Sequence, residues 1–349
     1  IDPEDAALGF VIGMIEGLAQ EFDRVTVIAN HVRRVPDLPP NVEVRSLGKE
    51  HGRGKIARGL AFEGEALRFI VRTRRPSAML VHMCPEYLNL AATFARVGRV
   101  RLMLWFAHPS DTWKLRVAQW LTDDILTSLP GSYPHENSKV QIVGQAIDTD
   151  RFTLDEGPIG SRSVTRLLAI GRTSPSKGFA QMIDMLQLVN LEGRSANLRI
   201  LGPSTTSAEV DHARRLKEMI VEKGLQASAT VEPGVAPAAI PALLQDADIL
   251  LNAMVSGSGD KVVFEAMAAG VLPLVSNPAF GHVLGGLPLD LTFERGNVRM
   301  LADRVAAISE ADPALLDDLR AQLRLRVVQD HSRATWARRV RDAAERGQG

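Results

Sequence analysis

The sequence predicts an α/β protein built from two doubly wound domains. Three observations carry that prediction. Short apolar runs of strand length alternate with amphipathic stretches of helix length from Arg24 to Ser276, the pattern of parallel strands joined by crossover helices. A polar, turn-rich stretch, Asp155–Ser163 (D-E-G-P-I-G-S-R-S), interrupts the alternation and reads as a linker. At 349 residues the chain exceeds one ordinary hydrophobic core and suits two.

Composition narrows the function classes. Hydrophobic residues at 45% and charged residues at 23% are ordinary for a globular chain. Lys and Arg number 41 and so do Asp and Glu, giving a formal net charge of zero, so bulk electrostatics attract neither nucleic acid nor membrane. Cys84 is the one cysteine, which excludes an internal disulfide and fits a reducing, cytoplasmic setting. No apolar run reaches transmembrane length and no signal peptide is visible. The chain opens on Ile1-Asp2-Pro3 rather than Met.

In the first half, Gly9–Phe22 has helical periodicity despite its glycines, and Arg24–Ala29 and Asn41–Leu47 read as strands. Ile56–Arg72 reads as a helix, Ala78–His82 as a strand and Glu86–Val97 as a helix. Arg101–Phe106 is a strand running into Ala107-His108-Pro109-Ser110. Thr112–Leu121 is a helix, and Asp124–Ser128 and Lys139–Val143 are short strands. A doubly wound domain normally opens on a strand, so a strand upstream of Gly9 is expected to complete it.

The second half centres on Arg166–Val189. Arg166–Ile170 is a buried strand ending at Gly171, and Ser174-Pro175 gives a helix-start signal, a capping side chain before a proline. Phe179, Met182, Ile183, Leu186 and Val189 then repeat at helical spacing. Arg172 and Lys177 thus lie between a strand's carboxyl end and a helix's amino end, where open α/β sheets bind ligands and backbone amides favour an anion. A solvated basic loop is the bland alternative. Further on, strands are read at Leu198–Leu201, Ala227–Glu232, Asp248–Ala253 and Val271–Ser276. Helices are read at Ser207–Lys223, Pro237–Gln245 and Val262–Ala269, and the tail from Asn297 is helical. The resulting division is a first domain over 1–152, a second over 153–329 and a last helix over 330–349.

Several stretches, in order, resemble the retaining GT-B glycosyltransferases of family 4. G-R-T-S-P-S-K-G (Gly171–Gly178) is similar to the family's G-R-x-x-x-x-K-G, and L-R-I-L-G-P (Leu198–Pro203) to its next strand and turn. I-P-A-L-L-Q-D-A-D-I-L-L (Ile240–Leu251) and F-E-A-M-A-A-G-V-L-P-L-V-S (Phe264–Ser276) resemble the segments around its E-x7-E signature. V-G-Q-A-I-D-T-D-R-F (Val143–Phe152) resembles its hinge motif, with Ala146 where glycine is usual. The resemblance covers nearly the whole chain. It implies two Rossmann-like domains facing across a cleft, the second taking a nucleotide-sugar donor, and a last helix, anchored by Trp336, that packs back on the first.

Carried over by position, the resemblance implies that Gly171, Arg172 and Lys177 hold the donor diphosphate and that Glu265 accepts from the ribose hydroxyls. Gly202 closes the next strand, and the stretch Glu232–Val235, with Gly234 and Val235, lines the base. The first glutamate of the signature is absent, and Gly257 stands in its place. Asp260 either replaces that carboxylate or caps the helix beginning there. Ser258, Gly259, Asp260, Lys261 and Val262 of the variant loop are counted with the donor site, its amides cradling phosphate. In the first domain, His108 is expected near the transferred sugar, and His82 and Glu86 near the acceptor.

The implied reaction is transfer of a hexose-type sugar from a UDP- or GDP-sugar to a glycan, lipid-linked or small-molecule acceptor, with retention at the anomeric carbon. Arg172, Lys177 and the helix N-termini would stabilise the leaving diphosphate, so neither cofactor nor metal is expected. Asp246-Ala-Asp248 and Asp148-Thr-Asp150 are not read as metal ligands. Gly257 keeps open a catalytically impaired nucleotide- or sugar-binding protein of the same fold. No G-x-G-x-x-G follows a strand, which counts against a dinucleotide-dependent dehydrogenase. His51–Arg75 is rich in Arg and Lys, and Trp113 and Trp120 lie on a nearby helix. A peripheral membrane contact and a solvated basic face with core tryptophans are both open readings. Nucleic acid is not an expected partner.

Overall fold

The computed structural model describes residues 1–5, 8–72, 78–154, 164–254 and 259–346, so the expected linker at 155–163 lies outside the described residues. The chain divides into two compact units, Ile1–Ala146 with Asp330–Gly349, and Ile147–Gln329.

Unit 1 begins with α1 (Val11–Glu21), β1 (Val25–Ala29), β2 (Val42–Ser46) and α2 (Lys55–Arg72). It continues through β3 (Ala78–His82), α3 (Pro85–Val97), β4 (Arg101–Trp105), α4 (Trp113–Leu121), β5 (Asp124–Thr127) and β6 (Val140–Ile142). Its strands form two parallel sheets rather than one, a four-stranded sheet in the order β3-β4-β5-β6 and a separate β1-β2 pair. β4 is buried on both faces, as its unbroken apolar run requires. Leu102 and Leu104 point into one cluster with Phe62, Leu88, Ala91 and Leu115 from α2, α3 and α4. Met103 and Trp105 point into the other, which holds Met14 of α1 and Trp336 near the end of the chain.

Unit 2 runs through β7 (Thr165–Ile170), α5 (Phe179–Leu191), β8 (Ala196–Gly202), α6 (Ser207–Glu222), β9 (Ala229–Pro233) and α7 (Ile240–Gln245). It closes with β10 (Ile249–Asn252), α8 (Lys261–Ala269), β11 (Leu272–Val275), α9 (Gly281–Leu284), α10 (Val298–Ser309) and α11 (Pro313–Asp330). Its sheet is fully parallel in the order β11-β10-β7-β8-β9. The winding therefore reverses between β7 and β10, and the crevice at the carboxyl ends of such a pair is the usual ligand position. Pro273 is accommodated because β11 is an edge strand.

The last helix, α12 (Arg333–Glu345), belongs to unit 1. Ser332 caps it by accepting from the Thr335 amide at 3.2 Å. Trp336 is fully buried, and Arg333 pairs with Glu16 of α1 at 2.8 Å.

Two local readings differ in the structure. The units divide at Ala146/Ile147, ahead of Phe152, because buried Phe152 packs in unit 2. Arg324 of α11 donates to the Phe152 carbonyl and, at 3.0 Å, to that of Thr149. Ser174-Pro175 opens only a single 3-10 turn, Pro175–Lys177, and the Ser174 hydroxyl bonds Ser176 rather than capping it. The α-helix starts at Phe179, after Gly178 at φ 68°, a left-handed value glycine adopts without strain. Ala146, where the resemblance lacks its usual glycine, sits at φ 54°. That backbone position is one glycine would occupy at lower cost.

At the carboxyl edge of unit 2 the ends of β7 and β8 nearly touch. A Cβ on Gly202 would overlap the Gly171 carbonyl oxygen, which is backbone and cannot swing away. Gly202→Ala is expected to destabilise the protein by about 2 kcal/mol or more, read as a lower thermal midpoint with intact secondary structure below it.

Two histidines make unit 1 sensitive to acid. His82 stacks on Trp105 with ring centroids 4.7 Å apart, and burial holds its pKa down at about 4. Burial likewise lowers His331, beside α12, to about 4. Both are therefore neutral when folded, whereas the unfolded chain takes up protons near the ordinary histidine value. Their contribution is fully present above about pH 6.5 and is lost as pH falls towards about 4. The thermal midpoint is expected to drop across that window, and His82→Phe, which keeps a ring on Trp105, should flatten the drop.

Candidate functional site

The candidate donor site is built on the carboxyl edge of unit 2, from three loops that follow β7, β8 and β10. The loop after β7 carries Gly171, Arg172 and Lys177. Thr173, between them, is buried, its hydroxyl 2.6 Å from that of Ser204 and its amide donating to the Pro203 carbonyl at 3.2 Å. This pins the β7 loop to the β8 loop. Arg295 adds a brace from the other side, donating to the carbonyls of Pro175 and Ser176 at 3.4 Å.

Arg172 projects outward with 62% of its side chain exposed, and its guanidinium lies 3.3 Å from Glu209. Glu209 forms a capping box with Thr206 at the start of α6. It also accepts from the Thr205 hydroxyl at 2.6 Å and the Thr205 amide at 2.7 Å, and these bonds hold its carboxyl below the usual range. A fixed, ionised carboxylate thus orients the arginine while leaving most of its fork open to a ligand.

Lys177 folds back over the end of β7, its Cε 2.8 Å from where a Cβ on Gly171 would sit. Its ammonium lies 2.6 Å from Asp260, and Asn252 at the end of β10 donates to the same carboxylate oxygen at 3.0 Å. This group stands at the β7/β10 switch point. Asp260 precedes α8 but its side chain does not cap it. Of the two roles open to Asp260, capping is therefore excluded, because its carboxylate is turned towards Lys177.

One turn into α8, Lys261 and Glu265 pair at 3.0 Å. Glu265 keeps only 16% of its side chain exposed, so a hydroxyl reaching it meets a partly desolvated acceptor. Gly259 and Val262 are buried beside them. Gly202 and Gly234 bring the β8 and β9 ends close, a Cβ on Gly234 falling 2.8 Å from Pro203. Val235 is half-buried. Gly257 and Ser258 lie outside the described residues. The site therefore carries two cations, Arg172 and Lys177, on the loop leading to α5, whose first amides have no helical partner, and a third, Lys261, at the start of α8, each beside a carboxylate. Such a set is suited to a diphosphate.

Asp246 and Asp248 lie at the opposite, amino edge, where both pair with Arg166, at 2.9 and 2.8 Å. Among the described residues no group of three or more His, Cys, Asp or Glu side chains is placed to hold a metal ion.

In unit 1, His108 follows β4 and is exposed, its Nδ1 accepting from the Ser110 amide at 3.0 Å and lying 2.8 Å from the Ser110 hydroxyl. That leaves Nε2 directed away from the turn. His82 is half-buried, its ring stacked on Trp105 and its Nε2 buried without a hydrogen-bond partner. Glu86 is exposed in the first turn of α3, 3.8 Å from Lys114. Sequence reasoning missed Asn252, Glu209 and Thr173. Thr206 followed three residues later by Glu209 is a legible capping box, whereas Asn252 is marked by nothing but its place at a strand end.

Residues 162–324 match the family model of the glycosyl transferases group 1. A GDP-mannose:cellobiosyl-diphosphopolyprenol alpha-mannosyltransferase of Xanthomonas campestris is 24% identical over 174 residues, covering 49% of this chain and 44% of the relative. The aligned stretches span only 44% to 59% of the length of the curated relatives. Among solved structures, Anabaena HepE in complex with UDP and glucose superposes with a TM-score of 0.73 at 15% identity, covering 98% of this chain and 96% of that one. Sucrose-phosphate synthase of Thermosynechococcus elongatus also gives 0.73, at 14% identity, covering 96% and 91%. Residues 162–324, just under half of the chain, thus resemble the glycosyl transferases group 1, and the chain has a GT-B fold.

Proposed function

We propose that the carboxyl edge of unit 2 binds the diphosphate and ribose of a nucleotide-sugar, and that the chain transfers the sugar with retention to a glycan or lipid-linked acceptor. The observation that carries this is the β7 loop itself, with Lys177 at the β7/β10 switch point beside Asp260 and Asn252 and Arg172 held open by Glu209. The complexes of HepE with UDP and UDP-glucose, and the GDP-mannose in the name of the Xanthomonas relative, support a UDP- or GDP-sugar.

Arg172 would grip the diphosphate through the part of its fork that Glu209 leaves open, and Lys177 and the first amides of α5 would meet the developing charge on the leaving phosphate. Such fixed donors stabilise the leaving group without a metal. Glu265 would accept from the two ribose hydroxyls, giving up Lys261 in part. His108 would stand at the sugar or acceptor, with Nε2 as its free nitrogen. Gly257 favours a second reading, a donor-binding protein with little turnover. A transfer assay under the donor that binds best, with release of nucleoside diphosphate as readout, separates the two.

A melting-shift and calorimetric panel of UDP, GDP, ADP and their sugar conjugates tests donor binding. One base is expected to stabilise the wild type selectively. Arg172→Ala and Glu265→Ala should each weaken it by about 10- to 100-fold, the equivalent of losing a hydrogen bond to a charged group. Equal binding by all three proteins, or none at millimolar nucleotide, overturns the assignment.

Asp260 sets a second expectation. It is the counter-charge of Lys177, so Asp260→Asn leaves the ammonium uncompensated. Pyrophosphate is then expected to bind about two- to fivefold more tightly than to the wild type, the scale of a partly exposed ion pair, measured by calorimetry.

A further inference from the structure

The outer helix layer of unit 1 is not closed by the fold. α2 packs on α3 and α3 on α4, all over one face of the four-stranded sheet. On the opposite, outward side, α2 exposes Ile56 by 82%, Leu60 by 65%, Leu67 by 48% and Val71 by 73%. Their spacing puts all four on one face of the helix. α4 exposes Trp113 by 70% and Trp120 by 76%. These two are not core tryptophans; the buried ones are Trp105 and Trp336. No helix among the described residues is long and apolar enough to cross a membrane.

We infer that this face docks peripherally on an anionic lipid bilayer, with Trp113 and Trp120 seated at the headgroup boundary. The charge pattern selects that occupant. α2 and α4, with Asp111 just ahead of α4, carry six cationic residues against three acidic ones, in a chain whose net charge is zero. Lys55 and Arg68 flank the apolar face of α2, and Lys114 and Arg116 stand beside the tryptophans of α4; Arg68, Lys114 and Arg116 pair with Glu65, Glu86 and Asp111, whereas Arg58 turns inward to Asn30. The core of a protein–protein interface is depleted of charge. A helix lying on a membrane surface mixes large apolar residues with Lys and Arg, and tryptophan suits the boundary because one side of its ring is apolar and its N–H is wet. The face lies on unit 1 and its test needs no sugar donor, so its outcome is independent of the donor-site reading.

The test mixes the whole chain with phosphatidylglycerol–phosphatidylcholine vesicles and with pure phosphatidylcholine vesicles, reading flotation and tryptophan emission. With Trp105 and Trp336 already buried, a blue shift reports Trp113 and Trp120. Flotation with the anionic vesicles, a blue shift and weakening by salt are expected. The double variant Trp113→Ser/Trp120→Ser should keep its thermal midpoint and partition about tenfold more weakly. Absence of partition to anionic vesicles at low salt overturns the inference, as does undiminished partition of the double variant. A concentration-dependent dimer that the double variant loses, without vesicle binding, would assign the face to a second copy of the chain instead.

Discussion

The candidate site of unit 2 depends on one steric constraint, the contact of the β7 and β8 ends at Gly171 and Gly202. A side chain at Gly202 would push the strands apart exactly where Thr173 ties one loop to the other. With the two ends pressed together, Lys177 can lie back across Gly171 and reach the switch point, and Glu209 can reach Arg172 from the head of α6. The cations are placed by backbone packing first and by their own flexibility second.

Electrostatics supply the second layer. Lys177 and Lys261 are mostly covered, and a covered charge is costly unless compensated. Asp260 and Glu265 provide that compensation, and Glu209 stands beside Arg172. The three pairs are not equivalent. Arg172 is largely exposed against a buried, heavily bonded carboxylate, so it can take an anion without losing its partner. Lys177 and Lys261 sit in tighter pairs with both members mostly covered, so a ligand there competes with an internal carboxylate. Any anion bound there is weighed against an internal carboxylate, which lets such a site discriminate.

Unit 1 distributes its aromatic residues by a different logic. Trp105 and Trp336 close the core between the sheet, α1 and α12, whereas Trp113 and Trp120 face outward. Helical spacing alone could not separate these fates. An apolar stripe on a helix looks the same whether its own fold covers it, another body does, or a lipid surface does.

Much of the fold was legible in the amino-acid order, because strand and helix periods are local properties and parallel β requires their alternation. The runs Ala78–His82, Arg101–Phe106 and Arg166–Ile170 each became strands, and Thr206 to Glu209 carried its capping box in plain view. Arg172 and Lys177 were placed on a loop between a strand end and a helix start by local spacing, whereas Glu265 was singled out through the resemblance alone. The tertiary structure alone decided the rest. It made Asp260, which by position could stand in for the absent glutamate or cap α8, the partner of Lys177, since two residues distant in sequence meet only once β7 and β10 are paired. It stacked His82 on Trp105 and opened Trp113 to solvent, since which face of an element is covered depends on what the rest of the chain lays over it.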